Sequence, residues 1–161
     1  MEKYILAVLS EDYAKEVCSW RYEGNYSIYD FSDWDIVVEN GWDLSIKEKR
    51  EAEFMAILLN NELIGYGRIT SDSSKVLIGI GLKPSWCGRG YGGIVMERLI
   101  EEAQKRFPKQ TIGLEVRTFN KRAIKCYKKI GFETRKKYIK NTFQGEDKFI
   151  YMEYINRNKK I

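Results

Sequence analysis

Four glycines within six residues, Gly88, Gly90, Gly92 and Gly93, alternate with Arg89 and Tyr91 and point directly at chemistry. Without Cβ atoms, they let the backbone turn sharply and bring its N–H groups close to an anion at a helix start. The unpaired first-turn amides and the helix dipole favour negative charge there. The implied chemistry is main-chain binding of phosphate, although a tight turn holding a strand against a helix would use the same glycines. Two better-known phosphate loops are excluded. There is no Gly-Lys-Ser/Thr ending, and the glycines at 88, 90 and 92 do not follow a Gly-x-Gly-x-x-Gly spacing. Upstream, Gly79 and Gly81 interrupt the apolar run Val76–Leu82. Glycine weakens a strand unless a bulge or a close backbone approach uses it, which favours a ligand lying along this strand.

What is missing narrows the chemistry further. The chain has no histidine, so Ser-His-Asp and Cys-His nucleophiles and the common His-based zinc sites drop out. A general base must then be a carboxylate, a tyrosine, the substrate itself or a water relay. Three widely separated cysteines, Cys18, Cys87 and Cys126, argue against a disulfide framework or a thiolate metal site, and no metal is expected. Cys18 and Cys126 read as small core residues. The net charge of +5 and pI near 9.0 favour anionic partners, with basic runs at 121–129, 135–140 and 157–160. Each run also reads as a solvated face. With no aromatic-interleaved nucleic-acid motif, no nucleic-acid partner is expected.

At 161 residues the chain suits one domain, residues 1–161. No targeting segment is apparent, and no apolar stretch approaches the ~18 residues of a membrane span, so a soluble, cytoplasmic protein without membrane partner is expected. A strand at Lys3–Leu9 precedes a helix through Trp20, with Ser10 as N-cap. The aromatic and acidic stretch 21–49 predicts a helix over Ser32–Glu39 and a turn at Asn40-Gly41. Strands over 53–59 and 62–70 join at Asn60-Asn61 as a hairpin. After the glycines, Val95, Leu99, Ala103 and Phe107, flanked by Met96 and Ile100, form the apolar stripe of an amphipathic helix that Pro108 ends. A strand at 111–116 is followed by a helix with Asn120 as N-cap, an Ala123, Tyr127 and Ile130 stripe, and Gly131 just past its end. Two closing strands, 133–140 and 148–154, flank a turn at Gln144-Gly145, and a basic tail is expected over 156–161.

The run Leu82-x-Pro84-x-Trp86-Cys87-Gly88-Arg89-Gly90-Tyr91-Gly92 resembles the coenzyme loop of the GNAT superfamily of acyl-CoA-dependent N-acetyltransferases, whose pattern is Gln/Arg-x-x-Gly-x-Gly/Ala. Leu114, Glu115, Val116, Arg117, Asn120, Ala123, Tyr127, Gly131 and Phe132 are similar to the second half of that pattern, matching best the branch with the ribosomal-protein alanine N-acetyltransferases. The resemblance covers residues 76–132. It implies an α/β fold with a mixed, splayed sheet of about seven strands flanked by helices.

It also implies roles. Acetyl-CoA is the cosubstrate: Ile80, Gly81 and Leu82 would meet pantetheine, and Gly88, Arg89, Gly90, Tyr91, Gly92 and Gly93 the pyrophosphate. Cys87 stands where the family has Gln or Arg, so a side-chain contribution to the phosphate is lost or taken over by Arg89. Tyr127 would protonate the leaving thiolate, since a phenol of pKa near ~10 still carries its proton at neutral pH. An N–H near Leu82 would polarise the thioester carbonyl, and Asn120 would cap its helix and touch pantetheine. Glu115 would take the ammonium proton, directly or through water; an outward-facing strand carboxylate is its plainer reading. The acceptor is a peptide or protein N-terminus, or a small amine met by the acids and aromatics of 21–43. A monomer or homodimer is expected. A non-catalytic acyl-CoA-binding or sensing domain is the alternative, because fold alone does not fix activity.

Overall fold

The structure, a computed structural model, describes residues 3–155, and the basic tail expected over 156–161 lies outside the described residues. Seven strands form one sheet in the order β1-β2-β3-β4-β5-β7-β6. They are β1 (Tyr4–Val8), β2 (Phe54–Leu59), β3 (Glu62–Ser71), β4 (Lys75–Leu82), β5 (Thr111–Arg117), β6 (Phe132–Thr142) and β7 (Gly145–Tyr154). Antiparallel pairs join β1 to β2, β2 to β3, β5 to β7 and β6 to β7, whereas β4 and β5 pair in parallel over Lys75–Leu77 and Thr111–Gly113. The sheet is therefore mixed, as expected. By contacts the chain divides into two compact units, Met1–Arg68 with Ile80–Tyr91, and Ile69–Gly79 with Gly92–Ile161.

In the first unit, helix α1 (Glu11–Ser19) starts where Ser10 accepts from the Tyr13 N–H at 3.1 Å, the cap read from sequence. Helix α2 (Trp34–Glu39) starts two residues later than expected, with Asp33 in the N-cap position. The Asn60-Asn61 turn has φ values of 50° and 70°, the left-handed conformation a two-residue hairpin needs. Leu9, Val17, Cys18, Trp20, Val37 and Leu44 build the core of this unit against Phe54, Ala56 and Leu63. Helix α3 (Lys47–Glu53) is not foreseen by the sequence pattern. Its buried member is Arg50, whose guanidinium donates to the carbonyls of Leu9 at 3.1 Å and Leu44 at 2.9 Å. That polar anchor takes the place of an apolar stripe.

In the second unit, helix α4 (Tyr91–Arg106) buries Val95, Met96, Leu99, Ile100 and Ala103, the predicted stripe without Phe107, which follows the helix end. Helix α5 (Lys121–Ile130) is capped by Asn120, which accepts from the Ala123 N–H at 3.2 Å, and ends at Gly131 with φ 130°. Its buried residue is Ile124, which joins the half-buried Ala123, Tyr127 and Ile130 of the predicted stripe on one face, while Lys128 is exposed. The closing strands extend further toward each other than expected, leaving only Phe143 and Gln144 between Thr142 and Gly145. No described helix is long and apolar enough to cross a membrane.

Candidate active site

In the first unit, β4 runs out through Ile80, Gly81 and Leu82 into a short turn over Pro84–Trp86 and then the glycines. Gly88 and Gly90 sit at φ 73° and 86°, conformations that side chains rarely adopt, and a Cβ on Gly90 would meet nothing within 4 Å. The backbone between them is thus turned and uncovered. Arg89 lies over two rings that meet edge-on, its guanidinium carbon 4.8 Å from the Trp86 centroid and 5.5 Å from that of Tyr91, and it donates to the Ser85 carbonyl at 3.3 Å. An exposed cation is thereby held on the loop by aromatic faces. Cys87, at the departure from the expected Gln or Arg, turns its Sγ to the carbonyls of Leu82 at 3.8 Å and Lys83 at 3.6 Å.

The structure starts α4 at Tyr91, so Gly92 and Gly93 are first-turn helix positions rather than loop. The main-chain amides of a first turn lack intrahelical partners. A Cβ at Gly93 would lie 3.8 Å from Cys126 Sγ and 3.9 Å from Ile130 Cδ1 of α5, ordinary contact distances, so the packing of α5 on α4 does not itself require glycine there.

The end of β4 is also tightly specified. A Cβ at Gly81 would fall 2.3 Å from the Tyr66 ring, and one at Gly65 would fall 2.6 Å from the Gly81 carbonyl. Only glycine lets β3 and β4 approach here. Tyr22 donates its hydroxyl to the Leu82 carbonyl at 2.6 Å, a contact that sequence reasoning missed because 60 residues separate the partners. Burial, with Tyr66, Cys87 and Asp30 nearby, pushes this phenol up, so it keeps its proton. The acids expected to greet a cationic acceptor are partly committed. Asp30 accepts from the Tyr22 N–H at 2.9 Å, Asp33 from Arg21 at 2.7 Å, and Asp43 from Arg68 at 2.6 Å.

In the second unit, Tyr127 sits half-buried on α5, its ring edge-on to Phe132 with centroids 6.0 Å apart. Glu115 projects from β5 on the face opposite Leu114 and Val116, as alternation requires. Its carboxylate accepts a short hydrogen bond from Tyr138 and one from Lys140 Nζ at 3.0 Å. Partial burial would raise this carboxyl, but those two hydrogen bonds and the charges of Lys140 and Lys75 outweigh it and hold Glu115 below the usual carboxylate range. Beneath lies an aromatic floor: Tyr138 stacks on Phe149 at 6.0 Å, and the ammonium of Lys140 is 5.3 Å from the same ring. Removing the lysine charge should therefore release the carboxyl upward. In Lys140→Met, the Glu115 carboxyl followed by carbon NMR is expected to titrate at higher pH than in the parent, and an unmoved titration would leave Tyr138 and Lys75 as the groups that hold it down.

Among the described residues, no three or more His, Cys, Asp or Glu side chains gather to hold a metal ion. Strand β4 is continuous through Gly79 and Gly81 and leads by a short turn into the glycines. Comparison with known proteins agrees with that geometry. The chain is similar to the chimera of the Vibrio cholerae spermidine N-acetyltransferase SpeG and hSSAT, at 16% identity over 94% of this chain and 95% of that one, with a TM-score of 0.74. It is similar to the ribosomal-protein-S18-alanine N-acetyltransferase of Escherichia coli, at 18% identity over 100% of both chains and a TM-score of 0.64. With an aminoglycoside acetyltransferase in complex with coenzyme A it shares 21% identity over 96% of each chain, with a TM-score of 0.73. At such identities these likenesses establish the fold. No curated protein matches the chain in sequence. The family is fixed by residues 13–132, which match the sequence model of the acetyltransferase (GNAT) family across both the glycine turn and the Glu115 to Phe132 stretch: the chain belongs to that family of acyl-CoA-dependent N-acetyltransferases.

Proposed function

We propose that residues 1–161 act as one catalytic domain that moves an acetyl group from acetyl-CoA to a primary amine by direct attack within a ternary complex. The observation that carries this reading is the turn at Gly88 and Gly90, both at positive φ, running straight from β4 into α4. Pantetheine is assigned to Ile80, Gly81 and Leu82, and pyrophosphate to the amides from Gly88 through Gly93, with Arg89 as the nearby cation and Asn120 as a further contact. The Leu82 N–H polarises the thioester carbonyl, the amine attacks, and Tyr127 gives its proton to the leaving thiolate. Glu115 takes the ammonium proton through water. Its carboxylate is already ionised and hydrogen-bonded, which suits a relay more than a strong direct base.

The acceptor assigned is a small amine that is cationic in solution. The first unit holds fourteen acidic against nine basic residues within a chain of net charge +5, so its field draws cations. A spermidine and an aminoglycoside acetyltransferase among the similar folds lend this class support, whereas the Escherichia coli fold keeps a peptide N-terminus as the competing acceptor.

Acetyl-CoA-dependent thiol release against polyamines, aminoglycosides, amino acids and short peptides tests both parts. Turnover with polyamines or aminoglycosides is the expected result. Selective turnover of peptides would reassign the acceptor, and coenzyme binding without turnover of any amine would favour the acyl-CoA sensing role.

A further inference from the structure

Strand geometry fixes which groups the end of β4 offers. The Gly81 carbonyl faces β3, where it is the atom nearest the place a Gly65 Cβ would occupy, and the Lys83 N–H donates to the Ile64 carbonyl of β3 at 2.7 Å. Peptide groups alternate in direction along a strand. The Leu82 N–H and the Leu82 carbonyl therefore both point to the edge of β4 that faces away from β3. Of that pair the carbonyl is taken: the Tyr22 hydroxyl donates to it at 2.6 Å.

Tyr22 is itself held in place for this contact. Its own N–H donates to Asp30 Oδ1 at 2.9 Å, and Asp30 closes the turn over Gly24–Tyr29, its N–H bonded to the Ser27 carbonyl at 3.0 Å. Burial keeps the phenol protonated, so the bond to Leu82 persists across neutral pH. With Lys83 N–H fixed on one side and Leu82 C=O on the other, the peptide between them cannot rotate, although it lies at a strand end one residue before Pro84.

We propose that Tyr22 is a positioning residue for acyl transfer: by holding the Leu82 carbonyl it fixes the last peptides of β4 and leaves the Leu82 N–H as the donor aimed at the thioester carbonyl. This rests on the N-acetyltransferase reading above. The hydroxyl transfers no proton and touches no reacting atom. It matters because a donor to a developing oxyanion must be in place before the charge appears, and small misplacements are costly.

Tyr22→Phe keeps the ring and removes the bond. The expected result is a fall in kcat of roughly ten- to hundredfold, with KM for acetyl-CoA and the affinity for CoA within about twofold of the parent and an unchanged Tm. Amide hydrogen exchange supplies a readout independent of turnover. In the parent, acetyl-CoA should protect the Leu82 N–H more than CoA does, because only the acyl form brings a carbonyl to it; the variant should bind both and lose that difference. Equal protection by the two ligands in the parent would overturn the proposal while leaving the enzyme reading to stand on parent turnover. Parent-like kcat in Tyr22→Phe, or kcat, CoA affinity and Tm falling together, would also overturn it, the last by showing a purely structural tyrosine.

Discussion

Tyr127→Phe is expected to lower kcat by about 10²-fold or more, the range for loss of a positioned general acid, while CoA affinity stays within about twofold. The reasoning begins with the leaving group. A thiolate leaving the tetrahedral intermediate can add back to the acyl carbon, and protonating it as it departs commits the reaction forward. With no histidine anywhere in the chain, the proton must come from another side chain or from water. We propose Tyr127 as that donor: α5 is capped at Asn120, stopped at Gly131, and holds the ring edge-on to Phe132 at 6.0 Å. Phenylalanine preserves all of that packing, so a loss of turnover would belong to the hydroxyl. Stopped-flow release of the thiol, with CoA binding followed by calorimetry, separates the two quantities. Unchanged turnover would remove Tyr127 from the chemistry and leave thiolate protonation to solvent.

Local signals in the sequence were strong where a side chain serves its own neighbourhood. Ser10, Asn120 and Gly131 mark helix ends, and Asn60-Asn61 marks the β2–β3 turn, because each solves a backbone problem within three or four residues of itself. The glycine turn was legible for the same reason. What stayed hidden depends on distant partners. Helix α3 has no apolar periodicity because its inward residue is Arg50, satisfied by carbonyls at positions 9 and 44. Tyr22 is one aromatic among many until β4 brings Leu82 to it.

Glu115 shows the point most sharply. Its alternation on β5 was readable, but its partners lie on β6, and which β6 residues face it depends on an irregularity. The β6–β7 register slips between Thr134 and Lys136, so that Tyr138 opposes Phe149 and Lys140 opposes Asp147. A regular ladder would have turned Tyr138 and Lys140 to the other face, since a one-residue shift inverts every side chain. The state of the carboxylate is thus set by a bulge at Arg135, whose side chain is tied to Glu133 at 3.2 Å and Glu153 at 3.1 Å.

Gly65→Ala should be the most damaging small substitution in the first unit, lowering stability by about 1–3 kcal/mol, the cost of inserting a methyl group into a packed site. The obstacle is the reason. The new Cβ would stand 2.6 Å from the Gly81 carbonyl oxygen and 3.2 Å from Leu82 Cδ2. A side chain could rotate away, but the Gly81 carbonyl can move only if the end of β4 moves, and that end is tied back by the Lys83 N–H bond to Ile64 at 2.7 Å. Gly81→Ala makes an informative contrast, because its Cβ would strike the ring of Tyr66 at 2.3 Å, a side chain that can be cut back. Adding Tyr66→Ala should therefore recover part of the CoA affinity lost in Gly81→Ala, whereas no side-chain deletion should rescue Gly65→Ala. Since the strain falls on Gly81 and Leu82, CoA affinity in Gly65→Ala is expected to drop along with Tm. A parent-like Tm would mean that β3 and β4 part without cost, and a lowered Tm with full CoA affinity would detach the β4 end from the coenzyme.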